Sequence, residues 1–545
     1  MLRRAPITKC IYLLLICAVS CGATLSSNGY KPLERPAYPL YAIVSGNIPT
    51  EQNDINQLAR NFVLAQMTAS KADIDRLHAV NPHFKALCYI NGTYTRPNDD
   101  LRLAESKYRH DFAMFLAGVL ASDIGTSDRQ IKIVKDGKPV LLRPSTVQGE
   151  YSSIDPQHPS TKFYVTWIRV DDEFMRLDAS SSEPGVFTIS RGFADTKPAA
   201  HKAGARVFCP IYVGADEGGG NYPGSPKDDV LRYALDPASE HGWTWQANKA
   251  IQHVKEGYDG VWLDIVSTVF FNMSDMYGQP VQPWNFKTGR VYTPDEYRLA
   301  HEKKINYIQE SVKKAVGHYP CLVANNFRGI NYSEGEGGES LLLKPTKVKP
   351  RPLDGYCMEN TIGGYADGIR IHEEYKWRPK IIALARSTQD GIAAYPIIGP
   401  AGVRSLLLED DTPERDRFER FGYASYLLTV EKNGKTAFGI PAAYRIPDGK
   451  GGYRRLIKLN EQYFYPIGDP AESRKWTDFD GYKLPGTHTY VRRFTNGIVA
   501  VNPSNVDDPT IDLGASYLDP MTGAIVRTIT MKSQTGKILL SITGR

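Results

Sequence analysis

Apolar runs rich in β-branched and aromatic residues recur at residues 41–46, 62–67, 85–91, 258–266, 321–327, 354–360, 380–386 and 436–440. Between several of them the apolar positions fall at helical spacing instead. The clearest helix opens at Thr293-Pro294-Asp295-Glu296, a capping box with proline at the first helical position. Its stripe runs through Ile305, Ile308, Val312 and Val316 and stops at Gly317, before Pro320. Ser70-Lys71-Ala72-Asp73 opens another, carrying Ile74, Leu77 and Val80. Eight strands alternating with helices predict an α/β fold, a (β/α)8 barrel of the TIM type.

Two stretches break this rhythm. A long interruption separates the third and fourth runs, and within it residues 131–134, 140–143, 163–170, 173–177, 186–191 and 206–212 read as strands. Helical periodicity is missing there, and turn residues such as Asp136-Gly137 punctuate the stretch. The pattern predicts an inserted β-rich module over residues 129–213, with the barrel on 40–128 and 214–440. Beyond 440 the chain is β-rich again: Asn496-Gly497 marks a tight hairpin and Met521-Thr522-Gly523 a second. Residues 441–545 are predicted to form a C-terminal all-β, sandwich-like domain.

Composition adds three points. A chain of 545 residues exceeds the roughly 250–300 that one core supports, in keeping with several domains. Its 66 basic and 60 acidic residues leave +6 spread along the length, which gives no reason to expect a nucleic-acid partner. Tyrosine (32) and tryptophan (7) together outnumber phenylalanine (19), and aromatics with a polar tip suit surfaces that are half apolar and half wet, sugar-binding clefts among them.

The amino terminus reads as an address. Arg3, Arg4 and Lys9 precede an apolar run at 11–19 that is too short to span a bilayer, where about 20 residues are needed. Ala18-Val19-Ser20-Cys21 resembles a bacterial lipoprotein processing site, with Cys21 the lipidated first residue. Ala18 stands where such sites usually carry Leu, so ordinary signal-peptide cleavage is the alternative. Residues 1–21 are thus an expected export signal. The chain would then be a membrane-anchored lipoprotein at the bacterial cell surface or periplasm, or else secreted. Of seven cysteines, Cys88, Cys209, Cys321 and Cys357 lie beyond the signal, each in an apolar run, and read as small buried hydrophobes.

In a parallel barrel, residues at the C-terminal ends of strands line the site. Alternation along Asp259-Gly260-Val261-Trp262-Leu263-Asp264 turns Gly260, Trp262 and Asp264 inward. Along Asp354-Gly355-Tyr356-Cys357-Met358-Glu359 it turns Gly355, Cys357 and Glu359 inward. Glycosidic hydrolysis needs two carboxyls flanking the bond, and Asp264 with Glu359 is the candidate catalytic pair. A strand-end acid can equally cap a helix or anchor a loop. Asn325 and Asn326 end the fifth strand as candidate partners for sugar hydroxyls, and Trp262 could floor a sugar subsite or simply fill the core. Asp171-Asp172-Glu173, in the inserted stretch, reads as a solvated turn. The eleven histidines show no metal-ligand spacing, and no phosphate loop, nucleophile elbow or dinucleotide fingerprint occurs, so neither metal nor cofactor is expected.

Residues 258–264, Asp354 to Asn360 and Arg493-Phe494-Thr495-Asn496-Gly497-Ile498-Val499-Ala500-Val501-Asn502-Pro503-Ser504 resemble the bacterial glycoside hydrolases called hypothetical glycosyl hydrolase family 15, which is distinct from the glucoamylases. The resemblance covers roughly 40–128 and 214–545, and implies a (β/α)8 barrel acting on carbohydrate. The inserted stretch, with Asp172-Glu173-Phe174-Met175-Arg176 and Arg191-Gly192-Phe193 through His201, resembles β modules of bacterial and phage surface proteins. The expectation is a glycosidase acting on an extracellular or surface polysaccharide. Its alternatives are a non-catalytic glycan-binding lipoprotein, or an adhesion protein that uses the barrel as scaffold.

Overall fold

The computed structural model describes residues 30–542 except 96–110, 143, 145–166, 195, 214–232, 265, 267–272, 275–278, 326–342, 359–360, 365–369, 398–411, 441–442 and 448–452. Eight parallel strands follow one another in chain order around a barrel: Leu40–Asn47, Phe62–Thr68, Lys85–Asn91, Gly260–Asp264, Cys321–Ala324, Gly355–Met358, Ala394–Pro396 and Phe438–Ile440. The ring closes because the first strand pairs with the eighth (Leu40 with Phe438), and Ile397 bridges Gly439. The described residues include six helices: α1 (Gln52–Asn61), α2 (Lys71–Val80), α3 (Glu240–Lys255), α4 (Pro294–Val316), α5 (Glu374–Gln389) and α6 (Pro413–Leu427).

Alternation sorts each strand between two cores. Tyr41, Leu64, Leu87, Trp262, Val323, Cys357 and Tyr395 fill the barrel interior. Val261, Leu263, Leu322, Tyr356 and Met358 face outward to Ile305, Ile308, Ile381 and Leu384 of the helices. Space for the inner aromatics comes from glycine. A Cβ on Gly439 would lie 2.2 Å from the Tyr41 ring, and one on Gly355 2.5 Å from that of Tyr395. The shared Asp-Gly openings have a structural use at the barrel's other end. Asp259 accepts the Ala86 N–H at 2.9 Å and Asp354 that of Leu322 at 2.8 Å, each tying its strand to the preceding one.

The caps lie where the residues place them. α4 starts at a reciprocal Thr293–Glu296 box and ends at Gly317 with φ 89°, and α2 carries the same box at Ser70–Asp73. One strand differs. Residues 380–386 belong to α5, and the seventh strand is Ala394–Pro396. A short apolar run is ambiguous between strand and buried helix. Here Trp377, Ile381, Leu384, Ala385 and Thr388 are buried at helical spacing, which decides it.

The interruption contains a second barrel. Strands Met114–Leu120, Gln130–Lys135, Trp167–Val170, Glu173–Ser180, Val186–Phe193 and Arg206–Pro210 form an antiparallel sheet that closes where Val186–Phe193 meets Gln130–Lys135. Met114–Leu120, placed with the main barrel by the sequence reading, is a member of this sheet and pairs with Arg206–Pro210. Its seven residues form one continuous apolar run, without the alternation that marks a half-exposed strand. At the carboxy end, strands Tyr490–Phe494, Gly497–Asn502, Thr510–Leu518, Ile525–Thr530 and Thr535–Ser541 make one antiparallel sheet. α6 packs on the face of Val499, Val501, Ile538 and Leu540, while Ile498, Ala500, Ile511, Leu513, Ile529, Met531 and Leu539 form a separate core within the strands. Gly536 lies so close that its Cβ would sit 2.6 Å from that of Ala424.

Cys209 and Cys357 are buried, whereas Cys88 and Cys321 are half-buried. Among the described residues, no helix is long and apolar enough to cross a membrane.

Candidate active site

Asp264 closes the fourth strand, flanked by Asn91 of the third in direct register and by Asn325 just past the fifth. The Tyr89 hydroxyl donates to Asp264 Oδ2 at 2.5 Å, and Asn325 Nδ2 donates to Oδ1 at 2.8 Å. Neutral donors on both oxygens, from the strands on either side, fix the plane of the carboxylate at the C-terminal end of the barrel. Desolvation, then the charge of Asp264, pushes the Tyr89 phenol far above its ordinary value, so it remains a proton donor to that carboxylate. Tyr89 still keeps 42% of its surface exposed.

This arrangement is supported from behind. Asn91 Nδ2 reaches the Tyr89 oxygen at 3.4 Å, while its Oδ1 accepts the N–H groups of Thr93 and Tyr94. Gln246 of α3 donates to the Asn91 carbonyl at 2.9 Å, and Lys304 of α4 to the Gly92 carbonyl at 2.6 Å. The Gly92 N–H in turn binds the Asp264 carbonyl at 2.7 Å. Two helices therefore hold the turn that carries the carboxylate's neighbours. Lys304 is buried, and burial lowers its ammonium to about 7. His301, one turn earlier on α4, is buried with neither ring nitrogen hydrogen-bonded; burial, then Lys304, drives its pKa well down and keeps it neutral.

The other expected site residues divide. Asn325 joins Asp264 as described. Trp262 is 1% exposed and stacks on Tyr41 at 5.8 Å between ring centroids, inside the barrel. It packs the interior and offers no face to a sugar, which corrects its reading as a subsite floor. Glu359, Asn326 and Cys21 lie outside the described residues. The sixth strand turns Cys357 inward and Tyr356 and Met358 outward, as read. Thr361 follows, donating from its hydroxyl to the Met358 carbonyl at 2.5 Å.

Tyr89 and Asn91 were missed. Both share inward parity with Leu87 at the end of the third strand. The strand-end argument that singles out Asp264 and Asn325 applies equally to them. The acidic triplet also needs correction. Asp171 and Asp172 form an exposed turn, but Glu173 is fully buried in a two-pronged pair with Arg191, at 2.7 and 2.6 Å. His201 bridges Glu173 and Asp171 at 3.0 and 2.7 Å. Burial alone would raise Glu173; Arg191, the N–H groups of Ala199 and Gly192, and His201 outweigh it and hold the carboxyl at about 2. These are the residues that carry the inserted stretch's resemblance, and their work is structural. Among the described residues no cluster of histidine, cysteine and acid could hold a metal ion.

No family model matches the chain, and no curated protein matches it. Among solved structures it is similar to Eubacterium rectale Amy13B, with 8% identity over 94% of this chain and 99% of that one and a TM-score of 0.40. It is also similar to the glycoside hydrolase domain of PelA from Pseudomonas aeruginosa, with 12% identity, 75% and 96% coverage and a TM-score of 0.32. A Nostoc punctiforme debranching enzyme gives 10% identity, 93% and 100% coverage and a TM-score of 0.38. At such values the site has to be read from this chain's own residues.

Proposed function

We propose that the chain is a glycoside hydrolase of the hypothetical glycosyl hydrolase family 15 type, cleaving O-glycosidic bonds of an extracellular or surface polysaccharide. The observation that carries this reading is Asp264, held at the C-terminal end of the fourth strand by Tyr89 and Asn325. In such barrels that rim is where catalytic groups stand.

The second carboxyl in this reading is Glu359. Asp264 attacks the anomeric carbon while Glu359 gives its proton to the departing sugar oxygen. Glu359 then takes a proton from water, whose oxygen displaces Asp264 and restores both groups. A carboxyl separation of about 5–5.5 Å makes the enzyme retaining; roughly 6.5–9.5 Å admits a water and makes Asp264 the base of an inverting enzyme. Tyr89 and Asn325 act through Asp264, fixing the attacking oxygen before substrate arrives. Export by residues 1–21 and lipid on Cys21 complete the proposal, placing the site at a cell surface or in the periplasm.

The test is product analysis on a panel of bacterial, plant and host polysaccharides. Glu359→Gln should lose most activity on natural glycans yet spare the first step on aryl glycosides, whose leaving groups need no proton. Asp264→Asn should lose both. Equal losses for both variants on both substrates would overturn the division of roles. Glycan binding with no turnover would make the protein a binder, and mass spectrometry of the membrane fraction tests the lipid.

A further inference from the structure

On the face of α4 turned away from the barrel, a groove of about 690 Å³ runs between α3, α4 and the hairpin Trp284–Asn285/Arg290–Val291. We propose that it is a second carbohydrate-binding site, separate from the barrel mouth, that takes a neutral stretch of polysaccharide chain. The choice of a glycan as occupant rests on the glycosidase reading; the groove's chemistry does not.

Its wall is aromatic and fixed in place. Trp243 and Tyr307 stand 5.9 Å apart between ring centroids, inclined at 51°. Trp243 Nε1 already donates to the Pro237 carbonyl at 2.7 Å, and the Tyr307 hydroxyl already bonds Thr244 Oγ1 at 2.9 Å. With both polar tips satisfied internally, what the rings present to a ligand is apolar surface. Tyr307 and Leu299 are each 37% exposed along this wall. Sugar rings have apolar C–H faces that lie on such surfaces, with hydroxyls directed to the rim.

The rim supplies both kinds of partner. Lys287, Lys303 and Lys314 line the groove, and so do Glu240, Glu296 and Glu310. Three ammonium groups and three carboxylates, of which Glu296 is already paired with Arg290 and Glu310 already accepts from Tyr319, leave no large excess of either charge. That suits a ligand whose many hydroxyls both donate and accept; a nucleic acid or another polyanion would call for a clear positive excess. The volume lies in the range of ligand sites. From Glu296 to Lys314 the groove follows the helix for about 27 Å, a length for a chain and not for one monosaccharide. Its upper end lies at the amino terminus of α4, which in this fold faces the same side as Asp264.

The experiment uses the full chain carrying Asp264→Asn, so that bound polymer is not consumed. Dextran, xyloglucan and galactomannan are the neutral probes in affinity electrophoresis, with polygalacturonate and duplex DNA as anionic ones. At least one neutral polymer should retard the protein, and Trp243→Ala combined with Tyr307→Ala should weaken that binding at least tenfold. Tyr307→Ala alone, at an exposed position, keeps the test decisive if the double variant does not fold. In the Asp264 background left intact, the same groove variants should leave aryl-glycoside turnover unchanged. Absence of neutral-polymer binding, binding indifferent to the groove variants, or retardation by polygalacturonate or DNA only would overturn the inference. Groove-dependent binding in a protein that turns over no glycan would refute the glycosidase reading and leave this one standing.

Discussion

Replacing Lys304 by methionine keeps the length and apolar stem of the side chain while removing a charge from a buried position. In the folded chain burial lowers the Lys304 ammonium from 10.5 to about 7. Between those two values the unfolded chain binds more protons than the folded one, so Lys304 makes stability rise with pH in that window. The burial penalty is complete below pH 7 and is gone above 10.5. Integrated from pH 6 to pH 9, the wild-type chain gains about 3 kcal/mol from this one group. The methionine variant lacks this gain and leaves the Gly92 carbonyl without its donor, a loss of roughly 1–3 kcal/mol that does not depend on pH. At pH 6 the burial penalty is about 5 kcal/mol and exceeds that loss, so the variant should be the more stable protein. At pH 9 about 2 kcal/mol of penalty remains, the two effects offset, and the variant's advantage should be gone. The other titrating groups are common to both chains and cancel in the difference; His301, whose cation Lys304 also disfavours, is held neutral by burial, the larger cause. Denaturant unfolding of both proteins at the two pH values, followed by hydrogen exchange on strands three and four, measures the contrast. A stability difference that stays constant with pH would show that Lys304 does not titrate as a buried ammonium, and the reasoning would fail.

Four further outcomes are expected. Tyr89→Phe removes a hydrogen bond to a carboxylate and should lower kcat/KM on any substrate about ten- to hundredfold with the fold intact, as read by steady-state kinetics beside a thermal melt. Glu173→Gln leaves the Arg191 guanidinium buried without its counter-charge, and should destabilise the inserted barrel by about 3–5 kcal/mol. In the wild type the same pair provides stability that is complete above pH 4.5 and lost as pH falls towards about 2, so exchange protection at Phe174 and Ala199 should disappear in that window first. Gly439→Ala would put a methyl 2.2 Å from the Tyr41 ring, and should lower the thermal transition by an amount corresponding to about 1–3 kcal/mol.

The barrel was legible because its strands are buried on both faces, and residues such as Val261 and Trp262 alternate between two cores that differ in kind. Alternation assigns a residue to a side but says nothing of the space there. Whether Trp262 met a ligand or a neighbour depended on Tyr41, brought beside it by folding from far along the chain. Residues 380–386 show the converse. Their local run fits a strand, and only the wider spacing from Trp377 to Thr388 reveals the helix. At the site, strand-end position was enough to bring out Asp264 and Asn325. Tyr89 escaped because a tyrosine carries no charge to draw attention, and its importance lies in the oxygen it touches. Glu173 escaped for a related reason: an acid looks solvated until its partner, Arg191, is seen to close over it.

The interrupted barrel also has an order of assembly. Third and fourth strands pair directly, Gly260 beside Leu87, although about 170 residues separate them along the chain. The inserted barrel's entry and exit strands are partners, Pro210 beside Met114. Once that module has formed, the segment still to be closed shrinks to about 70 residues, an entropic saving of about 0.7 kcal/mol. The sum is small, but its timing matters more. During synthesis the insert is complete well before the eighth strand emerges, so it can fold first and present strand three to strand four as near neighbours. What looks in the finished molecule like an ornament on one loop is, in the growing chain, a splint.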